Sequence, residues 1–127
     1  MSEGSAGGLA RPARATLGAR AEQMACDHLV AQGFEIVGRN VRVGRLELDV
    51  IAQRGRLLVF CEVRSRTSDH VMTPAQSIQP DKVRRVRTAA ATWLKQQPFA
   101  GAQVRFDVIS VVFDRPEGRL NHLVGAF

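Results

Sequence analysis

Glu62, Val63 and Arg64 set a carboxylate and a guanidinium two residues apart inside the otherwise apolar run LLVFCEVR. In an extended strand alternate side chains share a face, so Glu62 and Arg64 point the same way. A second run, LELDVIA, carries Glu47 and Asp49 among leucines, valine and isoleucine. Residues 39–66 hold seven arginines but only these three acids, all within apolar strands rather than in turns. Half-buried carboxylates beside one another raise each other's pKa, and something must offset that cost. One offset is pairing with arginines such as Arg64 or Arg45, which makes the cluster a satisfied ionic network. The other is a divalent cation, Mg²⁺ or Mn²⁺ for an all-oxygen ligand set. Such an ion activates a water and neutralises charge developing on a phosphodiester. Two carboxylates for metal and a cation for phosphate or nucleophilic water form the arrangement of a phosphodiesterase.

Whether the acids meet depends on the elements that carry them. The alternation predicts a strand over 45–52, with Leu46, Leu48 and Val50 on one face and Glu47, Asp49 and Ile51 on the other. Arg54-Gly55 reads as a turn into a strand over 57–64. A two-residue loop there pairs Gln53 with Arg56, hence Asp49 with Phe60 and Glu47 with Glu62. Asp49 and Glu62 are then diagonal neighbours, about 7–8 Å apart at the backbone. A one-residue slip would send them to opposite faces. Upstream, Leu17, Ala21, Met24, Ala25, His28 and Leu29 recur at helical spacing over 17–32, with Thr16 as N-cap and Gly33 as terminator. Glu22 falls at the border of that stripe and can lean toward core or water. A short strand is expected at 34–37, a loop over 65–79 and a helix from Pro80 to about Gln97. Val83, Val86, Ala90, Trp93 and Leu94 form that helix's apolar stripe. Strands over 103–113 and near 120–124 complete the order helix, three strands, helix, two strands.

The 127 residues fit one domain, 16–127, behind a flexible tail over 1–15. The apolar and charged fractions, 45% and 24%, exclude disordered and fibrous classes. Cys26 and Cys61 sit among apolar neighbours and read as buried thiols in a reducing compartment. No run approaches the ~20 apolar residues of a membrane span, and no secretory signal is evident, so a cytoplasmic location without a membrane partner is expected. The formal charge is +6, and 16 of the 18 basic residues are arginine, the residue best suited to bidentate phosphate contacts. Nucleic acid is therefore the first partner to consider. Lys82, Arg84, Arg85 and Arg87 crowd the start of the second helix, where cations oppose the helix dipole. That placement favours phosphate contacts over a merely solvated face. His28 reads as a core histidine, His70 falls in the loop, and His122 has no evident partner. Asp107 is expected to pair with Arg105 or another arginine. No His/Cys spacing suggests zinc, and no Gly-rich loop suggests nucleotide binding.

From Leu17 onward the sequence resembles the YraN-like family of bacterial proteins. The stretches that carry the likeness are Gly18-Ala19-Arg20-Ala21-Glu22, Arg39-Asn40, Glu47-Leu48-Asp49-Val50-Ile51-Ala52, Val59-Phe60-Cys61-Glu62-Val63-Arg64, Lys82 with Arg85, Arg105-Phe106-Asp107-Val108 and Ala126-Phe127. The resemblance implies an α/β domain of the restriction-endonuclease-like type related to Holliday junction resolvases, with a central mixed sheet of about five strands flanked by helices. It implies that Glu22, Asp49 and Glu62 occupy the acidic, metal-binding positions of a nuclease motif, with Arg64 at the motif's lysine, and that Glu22 turns toward the site. Leu46 stands where the family usually has glycine. The expected function is metal-dependent cleavage of nucleic-acid phosphodiesters, with DNA ahead of RNA as partner, branched DNA one candidate substrate, and the choice between branched and linear left open. The alternative is a catalytically idle module that binds nucleic acid or a partner protein through its basic helix. Because related resolvases act as dimers, a homodimer fits the same expectation.

Overall fold

Thr16 opens the first helix, α1 (Leu17–Ala31), by accepting a hydrogen bond from the Ala19 N–H at 3.0 Å. Its end is a Schellman motif: Gly33 takes φ +91°, its N–H donates to the Val30 carbonyl, and the Phe34 N–H donates to that of Leu29. Both ends lie where the capping residues predict. The computed structural model describes residues 16–67, 79–99 and 101–127, so the expected tail over 1–15 and His70 lie outside the described residues.

Five strands follow in one sheet: β1 (Glu35–Val43), β2 (Leu46–Arg54), β3 (Leu57–Arg66), β4 (Gln103–Val112) and β5 (Arg119–Leu123). Their spatial order is β1-β2-β3-β4-β5, with β3 and β4 parallel and the other neighbours antiparallel. The parallel pair requires a crossover, which contains α2 (Pro80–Lys95). Pro80 sits in the first turn of α2, where its missing N–H costs nothing. The first strand is longer than the apolar run at 34–37 suggests. It continues through the polar Arg39-Asn40 to Val43, because its backbone pairs along β2 irrespective of side chain.

The helices cover opposite faces. Ala21, Ala25, Cys26 and Leu29 of α1 pack with Val50, Ala52, Val59, Cys61, Ile109 and Val111. On the other side Val86, Ala89, Ala90 and Trp93 of α2 pack with Leu48, Ile51, Leu58, Phe60 and Phe106. The alternation of β3 is the one its sequence predicts. Phe60, 1% exposed, meets the Trp93 ring edge-on at 5.8 Å and stacks on Phe106 at 5.6 Å. Cys26 and Cys61 are buried free thiols, as expected. The result is a mixed α/β domain with a helix on each face of a five-stranded sheet.

Two expectations for β2 need correction. The turn into β3 is Gly55-Arg56, with Arg54 paired to Leu57, rather than Arg54-Gly55. Gly55 has φ +60° at the first central position, which arginine would adopt only with strain. Moving the turn by one residue moves the register by two, so Val50 faces Cys61 and the next position, Asp49, comes level with Glu62. Strict alternation also fails at Asp49. Leu48 packs on the α2 side with Ile51, whereas Val50 packs on the α1 side with Ala52. Across from Asp49, between the pairs Arg39–Val50 and Val41–Leu48, lies Asn40, the one non-glycine at positive φ (+51°) among the described residues. A left-handed asparagine in a strand marks a local kink in the ladder.

Candidate active site

The kink is where the site is built. Pairing of β2 with β3 ends at Val50–Cys61. The next β3 N–H on that side belongs to Val63, and it donates to Asp49 Oδ2 at 2.9 Å instead of to a β2 carbonyl. Here a carboxylate replaces the ladder, and the strands part around a cavity of about 460 Å³ lined by Asp49, Glu62, Val63, Arg64, Gln79 and Lys82. Continuing the register past Val50–Cys61 brings Asp49 level with Glu62, where the sequence predicts a diagonal relation.

Glu62 is 4% exposed, and Lys82 from the first turn of α2 reaches it, Nζ to Oε1 3.4 Å. Burial pushes the Glu62 carboxyl above its ordinary range, against the pull of Lys82 and then Arg64. Asp49 is pushed up to about 7, first by burial and then by the charge of Glu62, with the Val63 hydrogen bond only partly opposing. Two acids thus share one cleft with too little positive charge to keep both ionised near neutral pH.

Glu22 points toward this region from α1. Its Oε1 accepts from Asn40 Nδ2 at 3.1 Å, and its charge adds to the upward push on Asp49. Asn40 is thus tied at its backbone to the kink opposite Asp49 and at its side chain to Glu22. Among the described residues no three His, Cys, Asp or Glu side chains form a metal-holding group, and Glu22 is turned to Asn40. Asp49 and Glu62 fit a hard divalent cation nonetheless. Mg²⁺ is commonly held by one or two carboxylates, the remaining positions going to water and substrate phosphate.

The basic residues of α2 do not form one face. Lys82 enters the acidic cavity; Arg84 and Arg85 line a separate groove beside the β1–β2 hairpin; and the Arg87 guanidinium lies 4.6 Å from the Phe106 ring centroid. Asp81 pairs with Arg84. Lys82 and Asn40 are the residues whose place at the site the sequence did not reveal. The sequence marked Lys82 as a phosphate-contact candidate and placed both residues in the family stretches, but neither signal pointed to the contacts with Glu62 and Glu22.

On the α1 side, far from being unpartnered, His122 lies in a chain of hydrogen bonds. Its Nε2 is 2.7 Å from Asp107 Oδ2, and its Nδ1 is 3.1 Å from His28 Nε2. Asp107 also accepts two bonds from Arg105, each 2.9 Å, and one from the Gly125 N–H. Burial would raise the Asp107 carboxyl, but these donors outweigh it and hold it below its ordinary value. This network fastens β4 and β5 to α1.

Residues 21–111 match the uncharacterised protein family UPF0102. A UPF0102 protein of Mycolicibacterium vanbaalenii is 48% identical over 102 residues, covering 80% of this chain and 84% of the relative. One from Frankia casuarinae is 42% identical over 118 residues, covering 91% and 98%. One from Geobacter metallireducens is 37% identical over 112 residues, covering 88% and 92%. The family match spans Glu22, the kinked hairpin and the cleft, and the chain belongs to the YraN-like family UPF0102.

Proposed function

We propose that this protein is a metal-dependent nuclease whose centre is the cleft between β2, β3 and the start of α2. The observation that carries the reading is the pair of half-buried Asp49 and buried Glu62, lining one cavity with Lys82 and Arg64. Acids that share a cleft attract a cation, and a lysine, an arginine and a helix N-terminus beside them attract a phosphate. A phosphodiester with its divalent ion presents both charges at once. The restriction-endonuclease-like resemblance of the motif stretches supports the same assignment.

In this reading Asp49 and Glu62 hold Mg²⁺ or Mn²⁺, which when bound supplies charge neutralisation and an acidified water. Arg64 binds the non-bridging oxygens of the scissile phosphate. It is a poor general base, since a guanidinium keeps its proton to a pH above about 12. Lys82, part-exposed beside Glu62, is placed to pair with a phosphate, and an ion held by Asp49 and Glu62 would supply the positive charge that Lys82 now gives the carboxylate. Glu22 holds Asn40, and through it the kink that aims Asp49.

The test is cleavage of labelled single-stranded, linear duplex and four-way-junction DNA with Mg²⁺ or Mn²⁺, wild type beside Glu62→Gln. Divalent-dependent cleavage by wild type alone supports the assignment; equal cleavage by both overturns it. One observation favours a second reading, a binding module without turnover. The Lys82–Glu62 contact already satisfies one acid, and the motif lysine is replaced by Arg64. Salt-sensitive binding with no cleavage under either metal selects that reading.

A further inference from the structure

The groove that takes Arg84 and Arg85 is a second feature of the same surface, with different chemistry. It encloses about 580 Å³ between the β1–β2 turn and α2. Its floor is apolar, made by half-buried Val43 and Leu46 and buried Ala89, and its rim is cationic, made by exposed Arg45, Arg84 and Arg85. No acid lines it among the described residues. Gly44, at φ +61° in the turn, leaves the mouth open, with nothing within 4 Å of where a Cβ would stand.

The groove is separate from the acidic cleft but is flanked by the same two elements. Leu46 precedes Asp49 by three residues of β2, about 10 Å of strand. Arg85 follows Lys82 by one turn of α2, about 4.5 Å along the axis. A duplex presents phosphates to a protein surface but keeps its bases stacked, so it has use for the arginines and none for the floor. An unpaired strand has use for both: its phosphates meet the rim, and a splayed base covers the apolar floor and stacks on a guanidinium. The volume lies in the range that holds a small ligand, enough for about one nucleotide.

We infer that this groove binds the single-stranded part of a nucleic-acid substrate, next to the cleft. The inference rests on the nuclease reading for its biological use, but the binding itself is measured apart from cleavage. The substrate class is then nucleic acid with an unpaired segment beside a duplex, rather than uniform duplex.

The experiment is fluorescence anisotropy of labelled oligodeoxyuridine, oligouridine and a blunt DNA duplex with the full chain in EDTA. The variants are Thr88→Glu, an exposed position on the groove's helical wall, and Arg45→Glu, exposed in the turn. Thr88→Glu is expected to weaken single-strand binding at least about tenfold while weakening duplex binding about twofold or less, and Arg45→Glu, which removes a rim cation that both forms use, to weaken both. The tighter of the two oligonucleotides identifies the sugar. Equal losses on single strand and duplex in Thr88→Glu, or no loss on either, overturn the assignment. Cleavage that no groove variant alters in substrate preference also counts against it. Absence of cleavage with groove-dependent single-strand binding intact overturns the nuclease reading alone.

Discussion

Replacing Asp49 by asparagine is expected to stabilise the fold above neutral pH. The carboxyl has an ordinary value of 3.8 and is pushed up to about 7 in the folded chain. Between those values the folded chain keeps a proton that the unfolded chain releases, so stability falls as pH rises through this window and levels off above it. At about 1.4 kcal/mol per pH unit the full cost of ionising Asp49 is roughly 4 kcal/mol. Asp49 is half-buried beside an open cavity, so solvent screening reduces this to about 2 kcal/mol. Asparagine keeps an acceptor for the Val63 N–H and removes the charge beside Glu62. Urea unfolding of both proteins at about pH 4, 6 and 8 isolates the effect as a difference, cancelling the other titrating groups. Asp49→Asn should match wild type at the acid end and exceed it by about 2 kcal/mol at the alkaline end. Saturating Mg²⁺ should then raise the wild-type midpoint and leave the variant's unchanged. A variant no more stable than wild type at pH 8, or a difference independent of pH, would refute the account of two under-compensated acids.

Two further outcomes follow from named contacts. Lys82→Ala leaves the 4%-exposed Glu62 without that ammonium and should cost about 1–2 kcal/mol at pH 8, less than a fully buried pair because Lys82 is part-exposed. The double variant with Glu62→Gln should recover most of the loss; additive losses in the cycle would show that the contact is not energetically coupled. His122→Ala removes the bonds to Asp107 and His28 and should cost about 2–4 kcal/mol. Burial, then the neighbouring His122, holds His28 below its ordinary 6.5. Its contribution to stability is therefore present above 6.5 and lost as pH falls through its folded value. His28→Gln should flatten that limb of the stability profile, and an unchanged limb would show that His28 does not titrate on unfolding.

Much of the fold was legible because local chemistry decides it. Thr16, Gly33 and Pro80 mark helix ends through hydrogen-bonding capacity and backbone restriction, which neighbours in sequence are enough to define. The strand pattern of 57–64 was equally plain, since each residue's face follows from parity and burial. Asp49, Glu62 and Arg64 stood out because acids and a guanidinium inside apolar strands need partners, and the structure lines one cavity with all three. The basic run of α2 was legible as charge but not as geometry: its residues diverge to a cleft, a groove and an aromatic ring, because successive positions on a helix face different neighbours.

What the sequence by itself determined was therefore the inventory: which elements form, which residues are core, and which polar groups must be accounted for. Only the tertiary structure decided how they meet. The register of β2 on β3 hangs on which single residue takes the positive φ, a choice between Gly55 and its neighbour that shifts every cross-strand pair by two. The kink at Asn40 and Asp49 breaks the parity from which faces are read, and it arises between strands rather than within one. Lys82 reaches Glu62, and His122 reaches both Asp107 and His28, across separations of 20, 15 and 94 residues. Contacts at that separation have no local signature, because they are set by how layers pack and not by what lies next along the chain.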